Sequence, residues 1–496
     1  LTTRRTSMRG TASGAGKPSR GLLMRTLAFV VLATFLWLQL HVISLTSRDW
    51  SNQAPVNESL YALVPQELHR FLKERRVSNA TGLSGHNSTS GNGGSGNDEL
   101  TEREIEEARR SIERVNSEQR VLNEEAFGPL APDAPVIVIQ VHDRLTYLRH
   151  LVISLAQARG IENTLIVFSH DVWNADINYL VQNVDFARVM QIFYPHSIQT
   201  HPHSFPGESL NDCPRNIRKE QALKLGCTNA HHPDLYGHYR EAKFTQTKHH
   251  WWWKANRVFD HLTILRNHTG MVLFLEEDHY VAEDFLHVLR LMERTARNNC
   301  ERCNVLSLGT YLKTYNYYAD FTKRAEVIPW ISSKHNMGMA FNRVTWSKLR
   351  NCAAQFCSYD DYNWDWSLQH IAQTCLPPSR GAGVAPRLDS GLVAMMMRAP
   401  RVFHIGECGV HHKKANCEST SVIAKVQTVL RSARGSLYPT QLTLTVAALS
   451  KKTKLRKGNG GWGDFRDHEL CLNMTLGDSS SPVAPPPGLI PQAAYS

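Results

Sequence analysis

The sequence predicts an α/β protein built on an open, doubly wound sheet, carried behind an N-terminal membrane span and a stem. Three observations lead there. VIVIQV at 136–141 is an unbroken apolar run, and a helical stretch follows it at 147–159. TLIVFSHD at 164–171 and VMQIFYP at 189–195 then repeat the apolar pattern. Runs that are apolar on both faces suit parallel strands buried inside a sheet, and strand–helix–strand at this spacing implies right-handed crossovers.

From the N-terminus, the first 25 residues hold Arg4, Arg5, Arg9, Lys17, Arg20 and Arg25 and no acid, which is more than half of the net charge of +11. Residues 26–46 are uncharged and largely apolar, at about 20 residues long enough to span a bilayer. No small-residue cleavage site ends the run, so it reads as an uncleaved signal anchor. The basic flank before it keeps the N-terminus cytosolic and sends the body to the lumen, a single-pass type II arrangement. Sequons at Asn57, Asn79, Asn87, Asn267 and Asn473 and all 10 cysteines follow the span, as a luminal, oxidising setting requires. The body is only mildly basic, which removes nucleic acid as an expected partner.

Residues 47–130 read as a luminal stem. Its first part, with SGHNSTSGNGGSGN at 84–97, has the composition of a flexible tether. From 98 to 125 the chain is highly charged, with Ile105, Ala108, Ile112, Val115 and Leu122 at helical spacing. That run is either a short coiled coil in the stem or one amphipathic helix packed on the body. PLAPDAP at 129–135 marks a boundary, and 131–475 is the expected catalytic domain. Residues 200–250 read as a long disulfide-clamped loop, and 476–496 as a disordered tail.

Candidate chemistry gathers where strands end, because ligands of open α/β sheets bind outside the carboxyl ends of the strands. His142, Asp143, Arg144 and Asp171 fall there. No GxGxxG turn follows the first strand and no Walker loop is present, which argues against dinucleotide oxidoreductases and P-loop enzymes. MVLFLEEDHY at 271–280 runs out of the core into Glu276, Glu277 and Asp278. It is either a solvated strand end or a site for a hard divalent cation such as Mg²⁺ or Mn²⁺. RVFHIGECGVHHKKANC at 401–417 adds His404, whose imidazole beside a carboxylate favours Mn²⁺. In YDDYNWDW at 359–366, tryptophans flank Asp365, a setting that raises a carboxylate's pKa towards that of an effective base. QTKHHWWW at 246–253 either lines a sugar site or anchors a helix in the core, and CERC at 300–303 reads as a structural disulfide.

Longer stretches carry a more specific signal. EEDHY, LSLGTY, HNMGMAF, CSYDDYNWDWSLQ, HIGECGVHHKK and GGWGDFRDHELC closely resemble the N-acetylglucosaminyltransferase II family of Golgi glycosyltransferases, over about residues 130–475. The resemblance implies a GT-A-type fold and inverting transfer of GlcNAc from UDP-GlcNAc. The acceptor it implies is the 2-hydroxyl of the α1,6-arm mannose of an N-glycan, in the conversion of hybrid to complex glycans. It implies Mn²⁺ on Asp278 and His404, and Asp365 as catalytic base. Gln140, Val141, His142, Asp143, Arg144 and Asp171 match the donor-site segment, and Gln246, Thr247, Lys248, His249 and His250 match a further substrate segment. The cysteines match pairs 213–227, 300–303, 352–375, 357–471 and 408–417. The chain departs from the family pattern at Asp143, where Asn is usual, and at Tyr315, where Arg is usual; Lys313 lies near enough to compensate. Other readings are a related GlcNAc-transferase with a different mannose acceptor and a luminal lectin without turnover.

Overall fold

A computed structural model describes residues 64–73, 100–311, 317, 319–376, 390–406, 420–446 and 457–476. Among these residues no helix is long and apolar enough to cross a membrane; the expected anchor at 26–46 lies outside them. The described strands form one sheet of 10, in the order β1 (Val121–Leu122), β4 (Arg188–Phe193), β3 (Leu165–His170), β2 (Val136–Val141), β5 (Val272–Glu276), β9 (Met339–Phe341), β7 (Val305–Ser307), β10 (Val393–Met397), β8 (Arg324–Pro329) and β12 (Thr443–Val446). Two more strands, β6 (His279–Val281) and β11 (Val402–His404), pair antiparallel as a separate ribbon.

Strands β4, β3, β2 and β5 are parallel, with Val136 beside Leu165 on one side and Val272 on the other. Val136, Ile137, Val138 and Ile139 are all fully buried, which explains the unbroken apolar run. The chain leaves β2 for β3 and β4 on one side and returns to β5 on the other. This reversal is the topological switch point at which α/β sheets bind ligands. The rest of the sheet corrects the expectation of a parallel sheet. β9 is antiparallel to both β5 and β7, and β8 is antiparallel to β10. β7 and β9 span three residues each, too few to carry a period.

Helix α1 (Glu102–Glu118) opens on a capping box between Thr101 and Glu104 and buries Ile105, Ala108 and Ile112 along one stripe. Asn116 clasps the last residue of β4, donating from Nδ2 to Phe193 O at 2.7 Å and accepting from Phe193 N at 2.9 Å. The charged run is therefore an amphipathic helix packed on the body. Within the stretch read as a tether, Gln66–Leu72 forms a 3₁₀ helix. Its Phe71 is buried edge-on against Phe186, and Arg149 Nη1 donates to Leu72 O at 3.1 Å. Arg149 belongs to α2 (Leu145–Ala156), which starts immediately after Arg144 and buries Leu148, Leu151, Val152 and Leu155 against the sheet.

Residues 200–250 are more regular than expected. They contain α3 (Lys219–Leu225) and most of α4 (Ala242–Asn256). The His- and Trp-rich composition hid α4 because almost every side chain of that helix is buried, so no polar face marks its period. Trp251 stacks on Trp364, centroids 4.5 Å apart and planes 1° from parallel, and Trp252 stacks on Phe356 at 4.1 Å. The tryptophan triplet thus anchors a core helix. It meets α5 (Ala353–Ser358), α6 (Trp364–Thr374) and α7 (Phe465–Leu476). Disulfides join Cys213 to Cys227, Cys300 to Cys303, Cys352 to Cys375 and Cys357 to Cys471; Cys408 and Cys417 lie outside the described residues.

Candidate active site

At the switch point the ends of β2 and β5 bring charged side chains together, with His404 of β11 and Lys254 of α4 beside them. Glu277 follows β5 and is tied back to β2, its N–H donating to Gln140 O at 2.9 Å. Its carboxylate accepts from His142 N at 2.7 Å and from Arg144 Nε at 2.6 Å. Arg144 Nη1 also reaches Asp278 Oδ2 at 2.7 Å, where His404 Nε2 stands 3.2 Å away. Behind them, fully buried Lys254 donates to Gln140 Oε1 at 2.5 Å and offsets the charge of Glu276.

Burial penalises Asp278 as an anion, yet His404 and Arg144 hold it well below the usual carboxylate range. Glu277 is pushed by burial up to about 7 despite Arg144. Asp278 sits in the turn between β5 and β6, and its C=O accepts from Ile405 N at 2.9 Å. Gly406 makes this approach possible, since a Cβ there would lie 2.3 Å from Asp278 Oδ2. One buried oxygen, Asp278 Oδ1, has no hydrogen-bond partner among the described residues. Glu276, Asp278 and His279 offer ligand atoms within 4.8 Å of one another. A buried, unpaired carboxylate oxygen beside carboxylate and imidazole donors suits a divalent cation of the Mn²⁺ type.

One strand over, Asp171 follows β3 and organises the other side. His142 Nδ1 lies 2.6 Å from its Oδ1, and Gln246 Nε2 donates to its Oδ2 at 3.0 Å. His250 Nδ1 is 3.5 Å from the same Oδ2, and its Nε2 meets Ser169 Oγ at 2.8 Å. Against the effect of burial, these imidazoles hold Asp171 far below the usual range, while the Asp171 pairing lifts His142 to about 9. Gln246 and His250, four apart on α4, share the face turned to Asp171. Asp143 is exposed, 3.8 Å from His142 Nε2, whereas Val141 is buried within β2. Lys248 and His249 point elsewhere. Lys248 Nζ donates to the carbonyls of Tyr359 and Asp361, and His249 Nε2 lies 2.9 Å from Asp467 Oδ1. Thr247 is half-buried.

Asp365 lies in the first turn of α6. Its Oδ2 accepts from Asn336 Nδ2 at 3.0 Å and its Oδ1 from Trp366 N at 2.9 Å. Burial, reinforced by the charges of Asp361 and Glu276, pushes it up to about 7, where a carboxylate serves as a general base. Tyr311, its ring 6.1 Å from that of His404, feels the charges of Glu276, Asp365 and Asp278, so Asp365 and the strand-end acids share one electrostatic neighbourhood.

Residues 109–471 match the family model described as N-acetylglucosaminyltransferase II (MGAT2). The chain belongs to the N-acetylglucosaminyltransferase II family. It is 46% identical over 363 residues to the alpha-1,6-mannosyl-glycoprotein 2-beta-N-acetylglucosaminyltransferase of Sus scrofa, covering 73% of this chain and 77% of that one. The protein of the same name from Arabidopsis thaliana is 32% identical over 379 residues, 73% of this chain and 80% of that one. Among solved structures, a mannosyltransferase from Pyrobaculum calidifontis in complex with GDP-Man and Mn²⁺ covers 75% of this chain and 85% of its own at 9% identity. Its TM-score of 0.25 is too low to bear on the fold.

As a member of the N-acetylglucosaminyltransferase II family the chain is a glycosyltransferase. Several residues that shape its site carry no chemical signal in the sequence. Lys254 lies beneath the acids, Asn336 orients Asp365, and Gly406 admits Asp278. Tyr311 and Asn336 fall inside LSLGTY and HNMGMAF, but an isolated Tyr or Asn states no role. Lys313, Tyr315 and His411 to Lys414 lie outside the described residues.

Proposed function

We propose that this family member is an inverting transferase of GT-A type that moves GlcNAc from UDP-GlcNAc in β1,2 linkage to the α1,6-arm mannose of N-glycans. The observation that carries the reading is the family match across 109–471 together with Asp365, a carboxyl group raised to about 7 beside the strand-end acids. Asp278 and His404 would hold Mn²⁺, and the unpaired Asp278 Oδ1 supports that assignment. When bound, the ion supplies positive charge against the negative charge that develops on the departing diphosphate.

The chain's own residues do the rest. Arg144, braced by Glu277, keeps Asp278 in place, and the Asp171 cluster orients His142 on the donor side. Asp365, held by Asn336, takes the proton of the mannose 2-hydroxyl as its oxygen bonds to the anomeric carbon. The bond from that carbon to the phosphate oxygen breaks, and UDP leaves with the electron pair. Attack opposite the leaving group inverts the anomeric centre.

The proposal includes a cytosolic tail at 1–25, an anchor at 26–46, a stem from 47, a luminal catalytic domain to 475 and a tail at 476–496, in the Golgi membrane. The seat of α1 on β4 supports counting that helix with the catalytic unit rather than the stem. The test is transfer from UDP-GlcNAc to two acceptors, an N-glycan already bearing GlcNAc on its α1,3 arm and an O-linked mannose peptide, with linkage analysis of the product. A β1,2 product on the α1,6 arm supports the reading. Transfer to the O-linked mannose alone, or binding without turnover, contradicts it.

A further inference from the structure

Lys248 is fully buried, and its ammonium sits beneath the neck of the loop that delivers Asp365. Nζ donates to Tyr359 O at 3.1 Å and to Asp361 O at 3.0 Å, and lies 4.1 Å from the Trp462 ring centroid. The carboxylates of the same loop hold its outer side. Asp360 accepts from Leu235 N at 2.6 Å and Trp462 N at 3.0 Å, and Asp361 from Asn459 N at 2.8 Å and Asn459 Nδ2 at 2.9 Å. One turn along α4, Trp251 stacks on Trp364, the neighbour of Asp365. The face of α4 that carries Gln246 and His250 meanwhile grips Asp171. A single buried helix therefore holds both the donor-side cluster and the base loop.

We propose that Lys248 is a positioning residue for the base: from α4 it fixes the loop that carries Asp365 and touches neither donor nor acceptor. An apolar side chain would fill this space without desolvating an ammonium, so the lysine's contribution is to place the loop rather than to stabilise the core. Displacing a reacting group by about 1 Å costs on the order of 10²-fold in rate.

The proposal rests on Asp365 being the base. Its test is Lys248→Met in the full chain, with kcat, KM for UDP-GlcNAc and calorimetric binding of UDP with Mn²⁺ measured together. The expected result is kcat lowered on the order of 10²-fold, with KM and UDP affinity within about twofold of the parent. A raised donor KM with kcat intact would place Lys248 on the donor, and an unchanged kcat would leave it a packing role alone; either overturns the proposal. Should Lys248→Met fail to fold, Asn459→Ala loosens the same loop from its outer side. It is expected to lower kcat without moving KM, and an unchanged kcat there overturns the proposal as well. Asp365→Asn measured alongside separates the two claims, since turnover in that variant counts against the base itself.

Discussion

Asp365 and Asp278 are both carboxylates drawn out of water, and their neighbours send them in opposite directions. Asp278 faces Arg144 and His404 and stays ionised, whereas Asp365 faces Asp361 and Glu276 and rises to about 7. A base acts only as its carboxylate, so kcat should climb with pH through about 7 and fall away on the acid side, read from initial rates between about pH 5.5 and 8.5. Asp278→Ala should weaken Mn²⁺-dependent UDP binding, read by calorimetry, by more than the about 10–100-fold typical of residues that only support a metal ligand. Both residues were legible in the sequence by position, one at a strand end and one among tryptophans. Of their partners, His404 was legible through its motif, but the ties to Asn336 and Arg144 were not. Asn336 lies 29 positions from Asp365, and Arg144 lies 134 from Asp278, separations that no local pattern encodes.

Among the elements, the long buried strands were the most readable. VIVIQV occupies β2 residue for residue, because a strand covered on both faces is apolar throughout. α4 and the 3₁₀ helix at Gln66–Leu72 were hidden for opposite reasons: one is buried on all sides, the other is a short turn whose single deep anchor is Phe71. The anchor makes a prediction. Phe71→Ala should forfeit about 3–5 kcal/mol of local docking. Amide exchange would then speed up across Gln66–Leu72 while β2 and β3 keep their protection; an unchanged exchange pattern would show that the segment is not held through Phe71.

At the scale of the whole molecule, covalent and ionic ties bind α7 to the region that carries Asp365. Cys357 and Cys471 are 114 positions apart, a closure worth about 4–5 kcal/mol on chain-entropy grounds, so replacing both by Ser should lower the unfolding midpoint clearly. Beside that bridge, fully buried Asp467 receives Arg240 Nε at 2.9 Å and meets His249. Burial opposes its charge, but Arg240 and His249 hold Asp467 down to about 2. With its folded value below its unfolded one, the stabilisation is complete above about pH 4 and is lost as pH falls towards 2. Asp467→Asn should therefore destabilise by about 3–5 kcal/mol near neutrality and flatten the acid limb of the stability curve. Disulfide bonding was legible from the even cysteine count, and the four pairs among the described residues are those the family resemblance implied.

The most direct measurement on the central claim is the Asp365→Asn variant assayed with UDP-GlcNAc and a defined N-glycan acceptor, alongside calorimetric binding of UDP and Mn²⁺. An Asn side chain keeps the shape and cannot take the proton. Loss of transfer with UDP affinity unchanged is the predicted result, and turnover near that of the parent would contradict the assignment of Asp365 as the base.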